Sequence, residues 1–95
     1  MTTCMTFLRD LSDRLNIIES TFNKALELTK KVEDSGLGKG QKINVKCAVI
    51  MYIACKLTNH PKEIKDIMKA TSSDNKEIAR CYKKIKECMP GAQLG

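Results

Sequence analysis

Residues 47–57, CAVIMYIACKL, are apolar almost all the way round, with one lysine near the end. The mostly apolar run Ala48 to Cys55 is far shorter than the roughly 20 residues that span a bilayer. A helix that is hydrophobic on every side and excluded from the membrane belongs in the middle of a protein. The third of five expected helices, residues 43–57, is therefore expected at the centre, wrapped by the other four. Its small residues Cys47, Ala48, Ala54 and Cys55 suit close approach of neighbouring helices.

Outward from this stretch, apolar residues recur at helical rather than alternating spacing, and no run of β-branched and aromatic residues is bounded by hairpin turns. The fold class is all-α. The first helix, residues 3–15, aligns Met5, Leu8, Leu11 and Leu15. Asn16 and Glu19 have the spacing of a capping box for the second helix, residues 17–33, whose expected inner face is Ile18, Thr21, Phe22, Ala25, Leu28, Thr29 and Val32. EDSGLGKGQK, residues 33–42, with glycines at 36, 38 and 40, ends that helix and forms the main loop.

TNHP, residues 58–61, breaks the third helix, and Pro61 suits the first turn of a fourth, residues 61–70. TSSDN, residues 71–75, breaks the chain again, and Asp74 with Glu77 has capping-box spacing for the last helix, residues 75–89. There Ile78, Cys81, Tyr82, Ile85, Cys88 and Met89 form an apolar stripe. Lys76, Arg80, Lys83 and Glu87 project opposite, with Lys84 and Lys86 on the flanks; the tail, residues 90–95, is expected to fray. Two short helices and a polar turn with a basic outer face have the outline of a helix-turn-helix, an outline shared by any αα-hairpin with a lysine-rich face.

The 95 residues read as one domain, with no Pro/Gly/Ser-rich tract marking an internal boundary. The net charge of +6 is uneven: residues 1–38 sum to −1 and residues 39–95 to +7. Such asymmetry suits a polyanion, an acidic protein partner or a merely solvated face. The N-terminus lacks the pattern of a secretory signal, so a cytosolic or nuclear place is expected. Five cysteines, without a C-x-x-C pair, read as buried free thiols rather than a zinc site or disulfide framework. No catalytic or metal site is expected. His60 stands alone in a loop as a solvated residue, and GLGKGQK lacks the G-x-x-x-x-G-K-[ST] spacing and follows a helix rather than a strand.

Three stretches resemble one family. MYIACK, residues 51–56, is similar to LYIACR of transcription factor IIB; KEIARCYKKI, residues 76–85, to KEIGRCFKLI; and LSDRLNI, residues 11–17, to ADRINL. Between them LGKGQ falls on the family's SLKGR, Pro61 on its proline, and Lys65 to Ile67 on KEI. The likeness runs from about Arg9 to Glu87. It implies a five-helix cyclin-like fold with a central hydrophobic third helix, matching the first cyclin-like repeat of the core.

The resemblance also implies a non-enzymatic role in transcription initiation, in the nucleus, with the TATA-binding protein, promoter DNA and RNA polymerase II as partners and no membrane. A second cyclin repeat would act in cis if the chain is an excised domain, the preferred reading. No cofactor is expected in this stretch, since the family's zinc ribbon would lie only upstream. Lys39 and Gly40 match loop residues that approach the TATA-binding protein and the DNA backbone. Gln41 stands where the family usually has arginine, and Lys42 next door restores the charge without the guanidinium fork. Lys76, Arg80 and Lys83, with Lys84 beside them, match a basic face used toward phosphates, polymerase or activators, while Glu87 replaces a lysine. The alternatives are a cyclin-type docking adaptor that never touches DNA, and a polymerase III initiation factor repeat.

Overall fold

The computed structural model describes residues 4–36, 40–60 and 62–87. Five helices follow one another: α1 Cys4–Leu15, α2 Glu19–Ser35, α3 Ile43–Leu57, α4 Ile64–Thr71 and α5 Asn75–Glu87. There is no strand among the described residues. Each of the other four helices packs on α3. The central position follows from the side chains: Val45, Cys47 to Met51 and Ile53 to Cys55 are all buried, so no face of α3 is left for water over most of its length. Leu8 and Leu11 of α1, Phe22, Ala25, Leu28 and Val32 of α2, Ile67 of α4, and Ile78, Cys81 and Ile85 of α5 complete the core around it.

The helix ends share one device. Asn16, Gly36, Asn59 and Ser72 each adopt a left-handed backbone just beyond a helix, with φ of 54°, 77°, 55° and 54°. After α1 the Ile17 N–H returns to the Ser12 carbonyl at 2.9 Å; after α3 His60 returns to Cys55 at 2.9 Å; after α4 Ser73 returns to Met68 at 3.0 Å. These are six-to-one bonds of the Schellman type, which satisfy carbonyls that a helix end leaves open. Asn16 therefore closes α1 instead of capping α2. The residue before α2 is Ile18, in extended backbone with no side-chain cap bond, and α2 begins at Glu19 rather than residue 17. Glu19 faces Arg9 at 3.9 Å, and the Arg9 guanidinium lies 3.9 Å over the Phe22 ring.

Other expectations need correction. Met5 and Ile18, placed on inner faces by spacing, are 61% and 47% exposed. α4 starts at Ile64 after an extended Glu63, so Lys62 and Glu63 are not helical. Glu63 supplies the carbonyl that accepts from Asp66 at 3.1 Å, and Pro61 lies outside the described residues. His60 is half-buried, with its Nε2 enclosed and without a partner among the described residues. Thr3, Cys88, Met89 and the tail, residues 90–95, also fall outside them.

Two polar contacts fix neighbours on α3. The Thr58 hydroxyl donates to the Ala54 carbonyl at 2.8 Å and so accepts from the Thr21 hydroxyl of α2 at 2.6 Å. Asn44 Nδ2, on the first turn of α3, donates to the Thr71 carbonyl at 3.1 Å at the end of α4.

Candidate functional site

Asp74 caps α5, accepting from the Lys76 N–H at 2.9 Å. That bond fixes the start of a helix whose inner side is Ile78, Cys81 and Ile85 and whose Lys76, Arg80, Lys83 and Lys84 are all exposed. The side chains of these four basic residues make no ion pair within the described residues. They present uncompensated positive charge on a rigid support.

Glu77 does not complete the capping box. Its carboxylate pairs with Lys42 at 2.9 Å, and this bond holds the Lys42 ammonium above the ordinary lysine range. Lys42 occupies the N-cap of α3 without any side-chain cap bond. A cation there meets the positive end of the helix dipole, an unfavourable placement that the Glu77 carboxylate offsets. The same pair carries the start of α3 to the first turn of α5. Two segments singled out separately along the chain thus become one region of surface.

Gly40 is exposed with φ of 81°, where a side chain would be strained, although open space surrounds it. Gln41 is half-buried and Lys42 exposed. Lys39 lies outside the described residues. The region gains a cation that sequence reasoning missed, Lys46. Burial pushes the Cys81 thiol of α5 up, against the opposing charges of Lys46 and Lys84. Its signal was present: Lys46 is one helical turn beyond Lys42 and shares its face.

Farther along α3 and α5, Tyr52 and Tyr82 stand 6.0 Å apart between ring centroids, and Lys56 lies 5.1 Å over the Tyr52 ring. With Ile64, Asn75, Ile78 and Ala79 they line a shallow cleft of about 320 Å³. No cluster of three or more His, Cys, Asp or Glu side chains able to hold a metal occurs among the described residues, nor does any helix long and apolar enough to cross a membrane.

Residues 1–88 match the transcription factor TFIIB repeat. The chain belongs to this family. The five helices, four of them packed around α3, are the all-α, cyclin-like architecture of the TFIIB repeat. Transcription initiation factor IIB of Caldivirga maquilingensis is 32% identical over 78 residues, 82% of this chain and 23% of the relative. The protein of the same name from Dictyostelium discoideum is 32% identical over 77 residues, 81% and 24% of the two chains. That from Drosophila melanogaster is 33% identical over 73 residues, 77% and 23%. The chain spans about a quarter of the length of these relatives.

Proposed function

We propose that this TFIIB repeat acts as a bridging module in transcription initiation, joining the TATA-binding protein, promoter DNA and RNA polymerase II by basic contacts that read no sequence. In a eukaryotic cell that work lies in the nucleus. Lys39, Gly40, Gln41 and Lys42 form the edge toward the TATA-binding protein and DNA backbone; Lys76, Arg80, Lys83 and Lys84 form the face toward phosphate, polymerase or activator. A second repeat acts beside this one in the intact factor, and the zinc ribbon belongs to an upstream segment.

The observation that carries the reading is the Lys42–Glu77 pair. It fastens the start of α3 to the start of α5 and thereby supports one positive region in place of two. Compact charge on rigid helices is what phosphate contacts require, because neutralising phosphates releases counterions and yields affinity without base readout.

The test is binding to a preformed complex of TATA-binding protein and promoter DNA, followed across salt. Four neutralised phosphates predict a loss of roughly a hundredfold between about 50 and about 200 mM salt. Lys39→Glu combined with Arg80→Glu is expected to abolish binding while leaving the helical circular dichroism unchanged. Salt-independent binding, or a double variant that binds like the parent, counts against the electrostatic assignment and favours a docking adaptor that does not touch DNA.

A further inference from the structure

Tyr52 and Tyr82 are the only tyrosines of the chain, which has no tryptophan. Both are half-buried, and both line the shallow cleft formed by α3, α4 and α5. Their rings are tilted by 59°, so they meet edge toward face rather than stacked, and one ring spends neither of its faces on the other. Neither phenol hydroxyl makes a hydrogen bond among the described residues, nor does the side-chain amide of Asn75 in the same cleft.

The cleft is apolar and its setting is positive. Among its lining residues only the exposed Lys56 is charged. The carboxylates that precede lining residues in sequence are all engaged: Glu63 with Lys65 at 3.1 Å, Asp74 with the Lys76 N–H at 2.9 Å, and Glu77 with Lys42 at 2.9 Å. Arg80 and Lys83, which follow Ala79 and Tyr82, are exposed and make no ion pair within the described residues. The occupant that complements this surface is flat, apolar and joined to negative charge. The volume of about 320 Å³ stands at the low end of the roughly 300–1,000 Å³ of small-molecule sites. It accommodates one planar ring system but not the successive anchors of an amphipathic helix.

We propose that this cleft binds one unpaired base of single-stranded DNA, stacked on the Tyr82 ring, with the adjoining phosphate on the Lys56 ammonium. Aromatic rings beside a positive rim hold unpaired strands with little sequence preference, because every base has a π-face. A base inside a duplex has both faces covered by its neighbours, so the cleft separates open strand from closed. Asn75 adds a donor and an acceptor for a base edge, the pairing that asparagine makes with adenine. The choice of DNA over RNA rests on the bridging role proposed above, but the stacking does not: Tyr52, Lys56, Asn75 and Tyr82 are none of the residues assigned to the bridging surface.

With both tyrosines in the cleft and no tryptophan elsewhere, intrinsic fluorescence reads this site alone. The 95-residue chain is titrated with single-stranded DNA of about ten nucleotides, with absorbance corrected against N-acetyltyrosinamide. Affinity is read in parallel from the anisotropy of the same strand labelled with fluorescein. Quenching by the single strand and not by its duplex is expected. Tyr82→Leu should weaken single-strand binding about tenfold, while Tyr82→Phe should keep the affinity and lose most of the quenching. Lys56→Gln, at an exposed site, should lower the logarithmic salt slope by about 0.7. The last two variants decide the matter should Tyr82→Leu unfold. All three should bind the TATA-binding protein and promoter complex like the parent, so a parent that fails to join that complex defeats the bridging role and leaves the cleft standing. The cleft proposal is overturned by a parent that is not quenched, by equal quenching with duplex, or by a Tyr82→Leu variant that binds the strand like the parent. Tighter binding of RNA of the same sequence, or quenching by a peptide of glutamate and phenylalanine alone, also overturns it.

Discussion

α3 and α5 lie against each other and are nearly the same length, 15 and 13 residues, yet they are built on opposite plans. Nine residues of α3 are buried but only three of α5. α3 shows polar side chains only at the half-buried Asn44 and Lys46 near its start and at Lys56 near its end, so its surroundings are mostly protein; α5 has one narrow apolar stripe and a broad charged exterior. In this TFIIB repeat the helix that supplies most of the core and the helix that carries the broadest exposed charge are therefore different helices. The division frees the outer face of α5 to vary, because little of the core rests on it.

The strongest way to break this comparison is to cut into both helices equally. Ile50, wholly buried on α3, loses three methyl or methylene carbons in Ile50→Ala and leaves a cavity in the core. The expected cost is about 2–5 kcal/mol. Arg80→Ala, on the exposed face of α5, should change stability by no more than about 0.5 kcal/mol. Urea unfolding of the two variants measures both. Equal losses would mean that α3 is not the centre on which the rest depends.

A smaller effect, shared by thiols of both helices, appears with pH. Burial pushes the Cys55 thiol of α3 up to about 11 from 9.0, and Cys47 and Cys81 move the same way. The unfolded chain releases these protons first, so the folded state holds more protons above pH about 9 and stability falls as pH rises. The contribution of Cys55 is fully present below its unfolded value and gone once pH passes about 11. Lys42 adds a loss of the same sign, since pairing raises its value and alkali removes its charge. Thermal melts from neutral to alkaline pH should show the decline, Cys55→Ala should flatten it, and a Cys55→Ala profile as steep as the parent's would refute the thiol as its source.

The same contrast explains what could be read from the chain. α3 was legible to its ends, residues 43 and 57, because an all-round apolar segment admits one placement. The outer face of α5 and its Asp74 cap were legible because both are local: a stripe every three or four residues and a carboxylate just before the helix. Asn16 misled because asparagine serves equally as an N-cap and as a left-handed residue after a helix, and the choice depends on the return of Ile17 to Ser12. Met5 and Ile18 misled because helical period gives direction but not how far a neighbour extends. The Lys42–Glu77 contact had no signal at all. It joins residues distant in sequence, and no local pattern records which helices will be adjacent.

The finest test acts where the two plans meet. Glu77 holds Lys42 and also sits in the first turn of α5, where a carboxylate favours the positive helix end. Glu77→Gln removes both effects, and loss of the first-turn term alone costs a few tenths to about 1 kcal/mol. Binding should move the other way. Lys42 becomes free, the face gains one net positive charge, and if the ammonium then neutralises one more phosphate the logarithmic salt slope steepens by about 0.9. Slightly lower stability with tighter, more salt-sensitive binding to the TATA-binding protein and promoter complex is the expected pair of results. If binding instead weakens, the ion pair acts by holding α3 and α5 in register, and the proposed bridging surface depends more on geometry than on its total charge.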